Sequence, residues 1–273
     1  PPIDENNPEN ILNFISYLKR EQYGSRPLVK GQYFDAEVIK QEESGINYKK
    51  GEEKYEVKEK KFRYVFDPKR STIFPRMYSN SPNHIQRYRE ITNLDKNEKP
   101  TFSDNLEFFF KYQIGHMYLR YFMWNFSGRS SDIQNADWLG IQNVFDEVPY
   151  QLEMNKARNN YLMIPLLLGI LGLLFQYYRD NKNFYVVMLL FILTGVALVV
   201  YLNSPPTEPR ERDYIYAGSY YAFSIWIGYG SLFIFSIFSR LTTNKNISFA
   251  LTALISLSSP IILAKENWDD HDR

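Results

Sequence analysis

The chain has 273 residues, of which 23% are charged, with 32 Lys and Arg against 31 Asp and Glu. A net charge of +1 without clustered Lys and Arg argues against nucleic acid as a partner. The absence of Cys excludes disulfides, thiolate metal sites and a cysteine nucleophile.

The charged residues are unevenly distributed along the chain. They are frequent up to Arg158, whereas beyond it they occupy short gaps between apolar runs and the C-terminal tail. This break predicts a polar extramembrane region over 1–158, transmembrane helices within 159–264 and an outer polar tail over 265–273. The chain begins with Pro and shows no signal peptide, so we expect an internal piece of a longer protein.

The polar region combines helical and strand patterns. Residues 9–21 place apolar side chains at mostly helical spacing, which predicts an amphipathic helix. Between residues 31 and 78, short aromatic and Val-containing runs alternate with polar or Gly-containing segments, which is typical of β-hairpins. Together these patterns predict an α+β extramembrane region.

A further helix is predicted near 104–126. Its two polar pairs, Glu107 with Lys111 and His116 with Arg120, are each four residues apart and therefore adjacent on a helix. The two pairs fall on nearly opposite sides, so the helix has no single polar face. We expect it to lie in the membrane interface or within the protein rather than to cross the lipid.

Four apolar stretches follow, near 161–178, 184–202, 214–238 and 248–264. Each is free of charged residues over about the 17 to 25 residues that cross a hydrocarbon core. They predict an α-helical membrane protein with about four transmembrane helices. The spans contain no charged residue that would mark an ion path, so a pore or carrier is the weakest functional hypothesis.

The loops between these stretches indicate their orientation. The gap 179–182 carries a net charge of +1 and the gap 240–246 a net charge of +2, whereas 203–213 carries −1. By the positive-inside tendency, the first two loops are cytoplasmic. With four crossings, the polar half, the loop 203–213 and the tail would then share the outer face.

Three charged segments would meet on that face, at 125–129, 209–214 and 265–273. Arginine forks are suited to phosphate or carboxylate, and carboxylates at helix ends can act as bases or hold a divalent cation. The alternative for each segment is a solvated loop or a hydrophilic stop after a membrane helix. The alternative applies most strongly to four residues of the tail, Asp269, Asp270, His271 and Asp272. The three His residues are not spaced as zinc ligands, so no metal site is assigned.

Six short sequence motifs, spread over nearly the whole chain, carry a resemblance to one family. They are REQYG at 20–24, FPRMY at 74–78, YQIGHMY at 112–118, RYFMWNF at 120–126, PRERDY at 209–214 and ENWDDHDR at 266–273. The sequence resembles large polytopic membrane proteins of Bacteroidetes-type bacteria, a family of formerly unknown function. That family looks like a branch of the C-type glycosyltransferases and is similar to animal protein O-mannosyltransferases.

The resemblance implies a bacterial inner-membrane enzyme whose polar half lies in the periplasm. Its implied partners are a lipid-linked sugar donor, an acceptor protein or glycan, and membrane lipids. The family's catalytic acid is expected in a first outer loop with an Asp-x-Gly-Glu type segment, which this chain does not contain. We therefore assign no catalytic residue here and expect the fragment alone to be inactive.

The candidate phosphate or sugar contacts are Arg129, Arg210 and Arg212, with Asp213 orienting one of the guanidiniums. These residues follow from position and residue type. No cofactor is assigned, and a divalent cation is the one candidate. The functional alternative is a noncatalytic scaffold or transport component of the cell envelope.

Overall fold

The computed structural model describes residues 10–19, 21, 26–144, 148–268 and 270. These residues form two compact units. Unit 1 comprises the chain up to Phe109 together with residues 205–207, and unit 2 comprises residues 110–204 and 208–273. The composition break near 158–162 falls inside unit 2. It divides the chain by hydropathy, and its role as a domain boundary stays a prediction.

Unit 1 is an α+β unit with two small antiparallel sheets, as the sequence predicts. Strand β1 (Lys30–Gln32) pairs with β4 (Ser71–Ile73), and β2 (Val38–Lys50) forms a long hairpin with β3 (Tyr55–Phe66). The helices of this unit are α1 (Ile11–Leu18), α2 (Pro82–Thr92) and α3 (Phe102–Phe108), with a 3-10 turn at Pro68–Arg70.

The core of unit 1 is aromatic and contains one buried amide that organises the backbone. The ring of Tyr88 packs on Phe34 and on Phe108, at centroid distances of 5.7 and 4.8 Å. Asn105 accepts hydrogen bonds from the backbone N–H groups of Arg76 and Met77 and donates one to the Phe74 carbonyl. Burial lowers the pKa of Arg76 to about 10.

The segment 102–126 is helical throughout, in agreement with the helix predicted near 104–126. It begins with a Thr101–Asp104 capping box at α3, continues as a π-helix over Phe109–Leu119 and ends as α4 (Arg120–Phe126). Most side chains of α4 are buried in unit 2. Of the two alternatives, α4 therefore fits a helix within the protein.

The rest of unit 2 consists of short elements followed by long apolar helices. The short elements are β5 (Gly128–Arg129), a 3-10 turn at Ile141–Val144, α5 (Tyr150–Glu153) and β6 (Asn159–Asn160), which pairs with β5. The apolar part that follows comprises α6 (Ile164–Arg179), α7 (Asn181–Thr194), the shorter α8 (Val196–Leu202), a 3-10 turn at Asp213–Tyr216, α9 (Ala217–Leu241) and α10 (Lys245–Glu266).

Three helices in the described part of the chain are long and apolar enough to cross a membrane, where the sequence predicts about four. They are Asn181–Leu202, which combines α7 and α8, Asp213–Leu241, which combines the 3-10 turn and α9, and Lys245–Glu266, which is α10. The remaining predicted span is α6, which has only 16 residues and covers about 24 Å at 1.5 Å per residue. It begins late because Leu162 and Met163 adopt positive φ angles, which interrupt the helix before Ile164.

Helices α6 and α9 pack so closely that their backbones touch. A Cβ atom on Gly172 would overlap the Trp226 carbonyl and lie 2.5 Å from the Gly230 nitrogen. Trp226 is fully buried and donates a 2.7 Å hydrogen bond to the Gln176 side chain. Small residues allow such approach in membrane helix pairs, where packing and interhelical hydrogen bonds replace the hydrophobic drive.

The outer faces of the helices are apolar and exposed. Leu189 and Leu193 of α7 are 57% and 56% exposed, and Phe249 and Leu254 of α10 are 68% and 72% exposed. Large exposed apolar faces on a soluble protein are rare, whereas they are the expected exterior of a helix in hydrocarbon. The buried core of unit 2 instead consists of aromatic side chains, chiefly Phe122, Phe126, Phe184, Phe223 and Trp226.

Candidate functional site

The polar end of unit 2 is the end at which α6 and α9 begin and at which α8 and α10 finish. The Asn160 nitrogen, just before α6, donates to the Glu266 carboxylate at the end of α10. Gln113 donates to Asn203 and to the Ser204 carbonyl, immediately after α8. Parts of the three charged segments at 125–129, 209–214 and 265–273 thus come together at one end of unit 2.

The first network at this end is built on Arg120, whose side chain is 4% exposed. Its guanidinium makes a two-pronged ion pair with Glu211, with N–O distances of 2.9 and 3.3 Å. It also donates to the carbonyls of His116 and Ala136, at 2.9 and 3.0 Å. This buried cation is therefore neutralised and hydrogen-bonded, as a charge in a low-dielectric site requires.

Glu211 receives two further hydrogen bonds, from the Tyr121 hydroxyl and from the Asn135 backbone N–H. Burial alone would raise its pKa, but the hydrogen bonds from Arg120, Tyr121 and Asn135 outweigh burial and lower the pKa to about 2. Burial and the neighbouring carboxylate raise the pKa of Tyr121 to about 12. Glu211 is thus a fixed anion that holds the loop 208–213 on α4, and it is not suited to accept a proton near pH 7.

Trp124 carries two guanidiniums against its ring. The central carbon of Arg120 lies 4.5 Å from the ring centroid, and that of Arg129 lies 4.1 Å from it. The backbone of Arg129 is fixed by pairing with Asn159 in β6 and by an isolated bridge to Trp138. Stacking on an indole and strand pairing together hold Arg129 in one place.

Arg129 differs from Arg120 because its charge has no acceptor in the described part of the chain. Its Nε atom is buried and makes no hydrogen bond to the described residues. The side chain of Arg129 is half-buried, so a solvent-borne group can reach it. A half-buried guanidinium without a counter-ion is a favourable place for an anion or another polar ligand.

The other three predicted contacts lie on the neighbouring loop. Arg212 pairs with Glu208 at 3.2 Å and has a buried Nε without a hydrogen-bond partner among the described residues. Arg210 is exposed and donates to the Tyr214 hydroxyl. Asp213 begins the 3-10 turn before α9. Among the described residues, Glu208 pairs with Arg212 within this loop and Glu211 pairs with Arg120 of α4. The role of orienting an arginine was predicted for Asp213.

Sequence reasoning did not assign a site role to Arg120, Tyr121, Trp124 or Glu211. A signal was present, since an Arg in an apolar helical stretch needs a carboxylate when it is buried. The position of that carboxylate, 91 residues further along the chain, could not be read from helical spacing.

The second network joins β6 to the tail. Asn159 is 4% exposed, and its Nδ2 atom donates to Asn267 at 3.0 Å and to Asp270 at 2.9 Å. The Tyr161 hydroxyl also donates to Asn267, at 3.0 Å. The beginning of the tail therefore packs against β6. A tail that served only as a hydrophilic end of the membrane helix would not need these contacts.

The remaining tail residues considered in the sequence analysis, Asp269, His271 and Asp272, lie outside the described residues. Among the residues that are described, no group of three or more His, Cys, Asp or Glu side chains is arranged to hold a metal ion.

These features define a class of protein: an α+β unit joined to a unit of apolar helices long enough for a membrane, with buried arginine networks at one end. A family of unknown function, DUF8416, matches residues 24–110, which lie almost entirely in unit 1. No curated protein matches the chain, and no solved structure matches it.

Proposed function

We propose that the chain is part of a membrane glycosyltransferase that transfers a sugar from a polyprenyl-phosphate donor to an acceptor such as a protein hydroxyl. In this proposal the helices lie in a bacterial inner membrane and the polar end of unit 2 faces the periplasm. The observation that carries it is the fixed guanidinium of Arg129, which has no counter-ion among the described residues. The resemblance of the six short sequence motifs to C-type glycosyltransferases also supports the transferase proposal.

The position of Arg129 suits a lipid-linked donor. The phosphate of such a lipid lies at the edge of the hydrocarbon layer, where the apolar helices of unit 2 reach their polar end. A cavity of about 520 Å³ at the same end is lined by three cations and two carboxylates and by Trp268, which is 88% exposed; the charged residues are Lys156, Arg158, Lys265, Glu153 and Glu266. Lys265 pairs with Glu266 at 3.2 Å. An exposed Trp side chain is characteristic of the interfacial level of a membrane protein.

The proposal includes α6 as a fourth crossing. Its beginning lies at the polar end, and the following helix pair α7–α8 returns to that end at Asn203. A helix of 16 residues is short for a crossing, but α6 packs on α9 and does not need to be surrounded by lipid. With α6 included, the segments 179–182 and 240–246 are both cytoplasmic.

Cysteine labelling of the naturally Cys-free chain tests this orientation. We expect a membrane-impermeant maleimide to label Cys at positions 209 and 268 from outside, and to label Cys at 181 and 243 only after permeabilisation. All four side chains are exposed, whereas Pro206 in the same outer loop is buried and would report poorly. Labelling of 181 or 243 in intact cells would contradict the proposed orientation, and labelling of 209 and 268 on opposite sides of the membrane would contradict two crossings between them.

Removing the guanidinium of Arg129 tests the proposed donor contact. We expect Arg129→Ala in the full-length protein to lower the transfer rate about 10- to 100-fold, which corresponds to one or two charge-assisted hydrogen bonds. Arg129→Lys should recover part of the rate, because it keeps the charge without the fork. Transfer of radiolabelled sugar into membrane acceptors is the measurement.

Arg240→Ala is the matched control, since this exposed arginine lies at the opposite end of α9. Deletion of the gene followed by mass spectrometry of envelope glycoproteins tests the activity itself. Unchanged glycans after deletion would reject the transferase proposal, and an unchanged rate in Arg129→Ala would reject only this contact.

A noncatalytic envelope scaffold is the second candidate, and the β2–β3 hairpin is the observation that favours it. Each strand is at least 12 residues long, and its apolar side chains are exposed, for example Tyr64 at 62% and Val57 at 58%. Such a two-stranded ribbon presents free edges to another protein. Normal glycosylation combined with loss of an envelope complex on deletion of the hairpin would favour this candidate.

A further inference from the structure

The cavity of about 520 Å³ at the polar end of unit 2 lies between two short segments of the chain. One is the segment 153–158, between α5 and β6, and the other is the segment 265–268, at the end of α10. The backbone N–H of Asn160, shortly after the first segment, donates to the Glu266 side chain in the second at 3.1 Å. This hydrogen bond fixes the two walls of the cavity relative to each other.

The cavity lies at the level where a membrane-crossing helix ends. Lys265 and Glu266 in its wall are the last two residues of α10, which is long and apolar enough to cross a membrane. Phospholipid headgroups form a layer about 5 to 7 Å thick on each side of the hydrocarbon core. The side chain of Lys265 is 79% exposed and Trp268 is 88% exposed, so the cavity is open at this level. A headgroup of the surrounding bilayer can therefore enter it directly.

The charged side chains of the cavity include one satisfied pair and two charges that are available to a ligand. Lys265 contacts one oxygen of Glu266 at 3.2 Å, and the other oxygen accepts from the Asn160 backbone. By contrast, the Glu153 carboxylate and the half-buried Arg158 guanidinium have no ion-pair partner among the described residues. They do not pair with each other either. One anion and one cation of the same cavity are thus left without a counter-ion in the described part of the chain.

An available anion and an available cation in one cavity select a ligand that carries both charges. A guanidinium binds a phosphate through two parallel hydrogen bonds, and a carboxylate accepts hydrogen bonds from a primary ammonium. The headgroup of phosphatidylethanolamine carries a phosphate and a primary ammonium joined by a short ethyl linker. Phosphatidylglycerol has no cation for Glu153, and the quaternary ammonium of phosphatidylcholine has no N–H to donate to it.

We propose that this cavity binds the headgroup of phosphatidylethanolamine, with Arg158 on the phosphate and Glu153 on the ammonium. The inference does not depend on the transferase proposal, because it requires a phospholipid bilayer around α10 and no sugar donor. A lipid bound here joins the segment 153–158 to the end of α10. Since it binds the folded chain only, it also stabilises unit 2 at its polar end.

Binding of phospholipids to the full chain in detergent tests the site. The probes are phosphatidylethanolamine, phosphatidylglycerol and phosphatidylcholine with identical acyl chains, and native mass spectrometry measures the bound fraction of each. We expect phosphatidylethanolamine to bind about 5- to 10-fold more tightly than either of the other two, as one charge-assisted hydrogen bond at a partly exposed site allows. Soluble phosphoethanolamine is the fourth probe, and we expect it to bind far more weakly than the lipid.

Two variants separate the roles of the two charges. Glu153→Gln keeps the size of the side chain and removes its charge, so it should reduce the preference for phosphatidylethanolamine over phosphatidylglycerol to about twofold or less. Arg158→Gln should weaken all three phospholipids about 5- to 10-fold and keep the preference among them, because each carries a phosphate. Neither side chain has an ion pair to lose within the described part of the chain, so both variants should fold.

Arg240→Gln is the matched control, because Arg240 is an exposed arginine at the opposite end of α9. It should change neither the affinities nor the preference. Equal affinity for the three phospholipids would overturn the proposal, as would a preference that survives Glu153→Gln. Soluble phosphoethanolamine that binds as tightly as the lipid would overturn the lipid as the ligand.

The unfolding temperature supplies a second measurement. Phosphatidylethanolamine should raise it in the unchanged chain more than in Glu153→Gln, and an equal rise in both would contradict the contact with the ammonium. Unchanged glycans after deletion of the gene would reject the transferase proposal and leave these lipid measurements as they are, so the two proposals fail separately.

Discussion

Replacing Glu211 with Ala is expected to lower the free energy of unfolding by about 3 to 5 kcal/mol. The substitution leaves the guanidinium of Arg120, only 4% exposed, without its carboxylate. It also removes the acceptor of the Tyr121 hydroxyl and of the Asn135 backbone N–H. Chemical or thermal unfolding of the detergent-solubilised chain measures the change.

The double variant Arg120→Met with Glu211→Leu distinguishes a buried unpaired charge from a simple loss of contacts. We expect it to be more stable than Glu211→Ala, because neither charge is then left buried without its partner. Arg210→Ala in the same loop is the control, with an expected loss below about 1 kcal/mol because its guanidinium is exposed. A loss in Glu211→Ala no larger than that of the control would show that this ion pair does not stabilise the fold.

The same ion pair makes stability depend on pH. The pKa of Glu211 is lowered from 4.5 to about 2 in the folded chain, so folding favours its ionised form. The stabilisation is fully present above about pH 5 and is lost as the pH falls through the folded pKa near 2, with a total of about 2 to 3 kcal/mol. In Glu211→Gln this part of the pH dependence should disappear, which unfolding curves between pH 3 and 7 would measure.

Replacing Gly172 with Ala is expected to destabilise the α6–α9 pair by about 3 kcal/mol, and the unfolding temperature in detergent should fall by about 5 to 10 °C. The added methyl group would overlap the backbone of Trp226. Backbone atoms cannot move aside as a flexible side chain can, so the two helices must separate. The separation would also lengthen the buried hydrogen bond between Trp226 and Gln176.

Gly228→Ala is the matched control for this variant. Gly228 is on the same helix pair, but a Cβ atom there meets nothing within 4 Å. Both substitutions gain similar helix propensity, so the difference between them isolates the packing of the two helices. Similar unfolding temperatures for the two variants would show that the close approach of α6 and α9 is not needed for stability.

The sequence alone located the polar and apolar parts of this protein, because the solvent preference of a long segment depends on composition and not on its contacts. The charge-free stretches at 184–202, 214–238 and 248–264 correspond to three helices long enough for a membrane. Alternating aromatic runs likewise indicated the β2–β3 hairpin, since strand and turn preferences are local. The stretch 161–178 was predicted too long, because backbone angles at Leu162 and Met163 are not visible in hydropathy.

Only the tertiary structure decided which charged residues act together. Arg120 and Glu211 are 91 residues apart, and Asn159 and Asp270 are 111 residues apart, so neither pair has a local sequence signal. Burial then determines their chemistry: it makes Arg120 and Glu211 a fixed pair and leaves Arg129, Asn159 and Asp270 each with an unpaired atom. Residue type and position indicated Arg129, whereas its burial and its lack of a hydrogen-bond partner among the described residues arise from long-range packing.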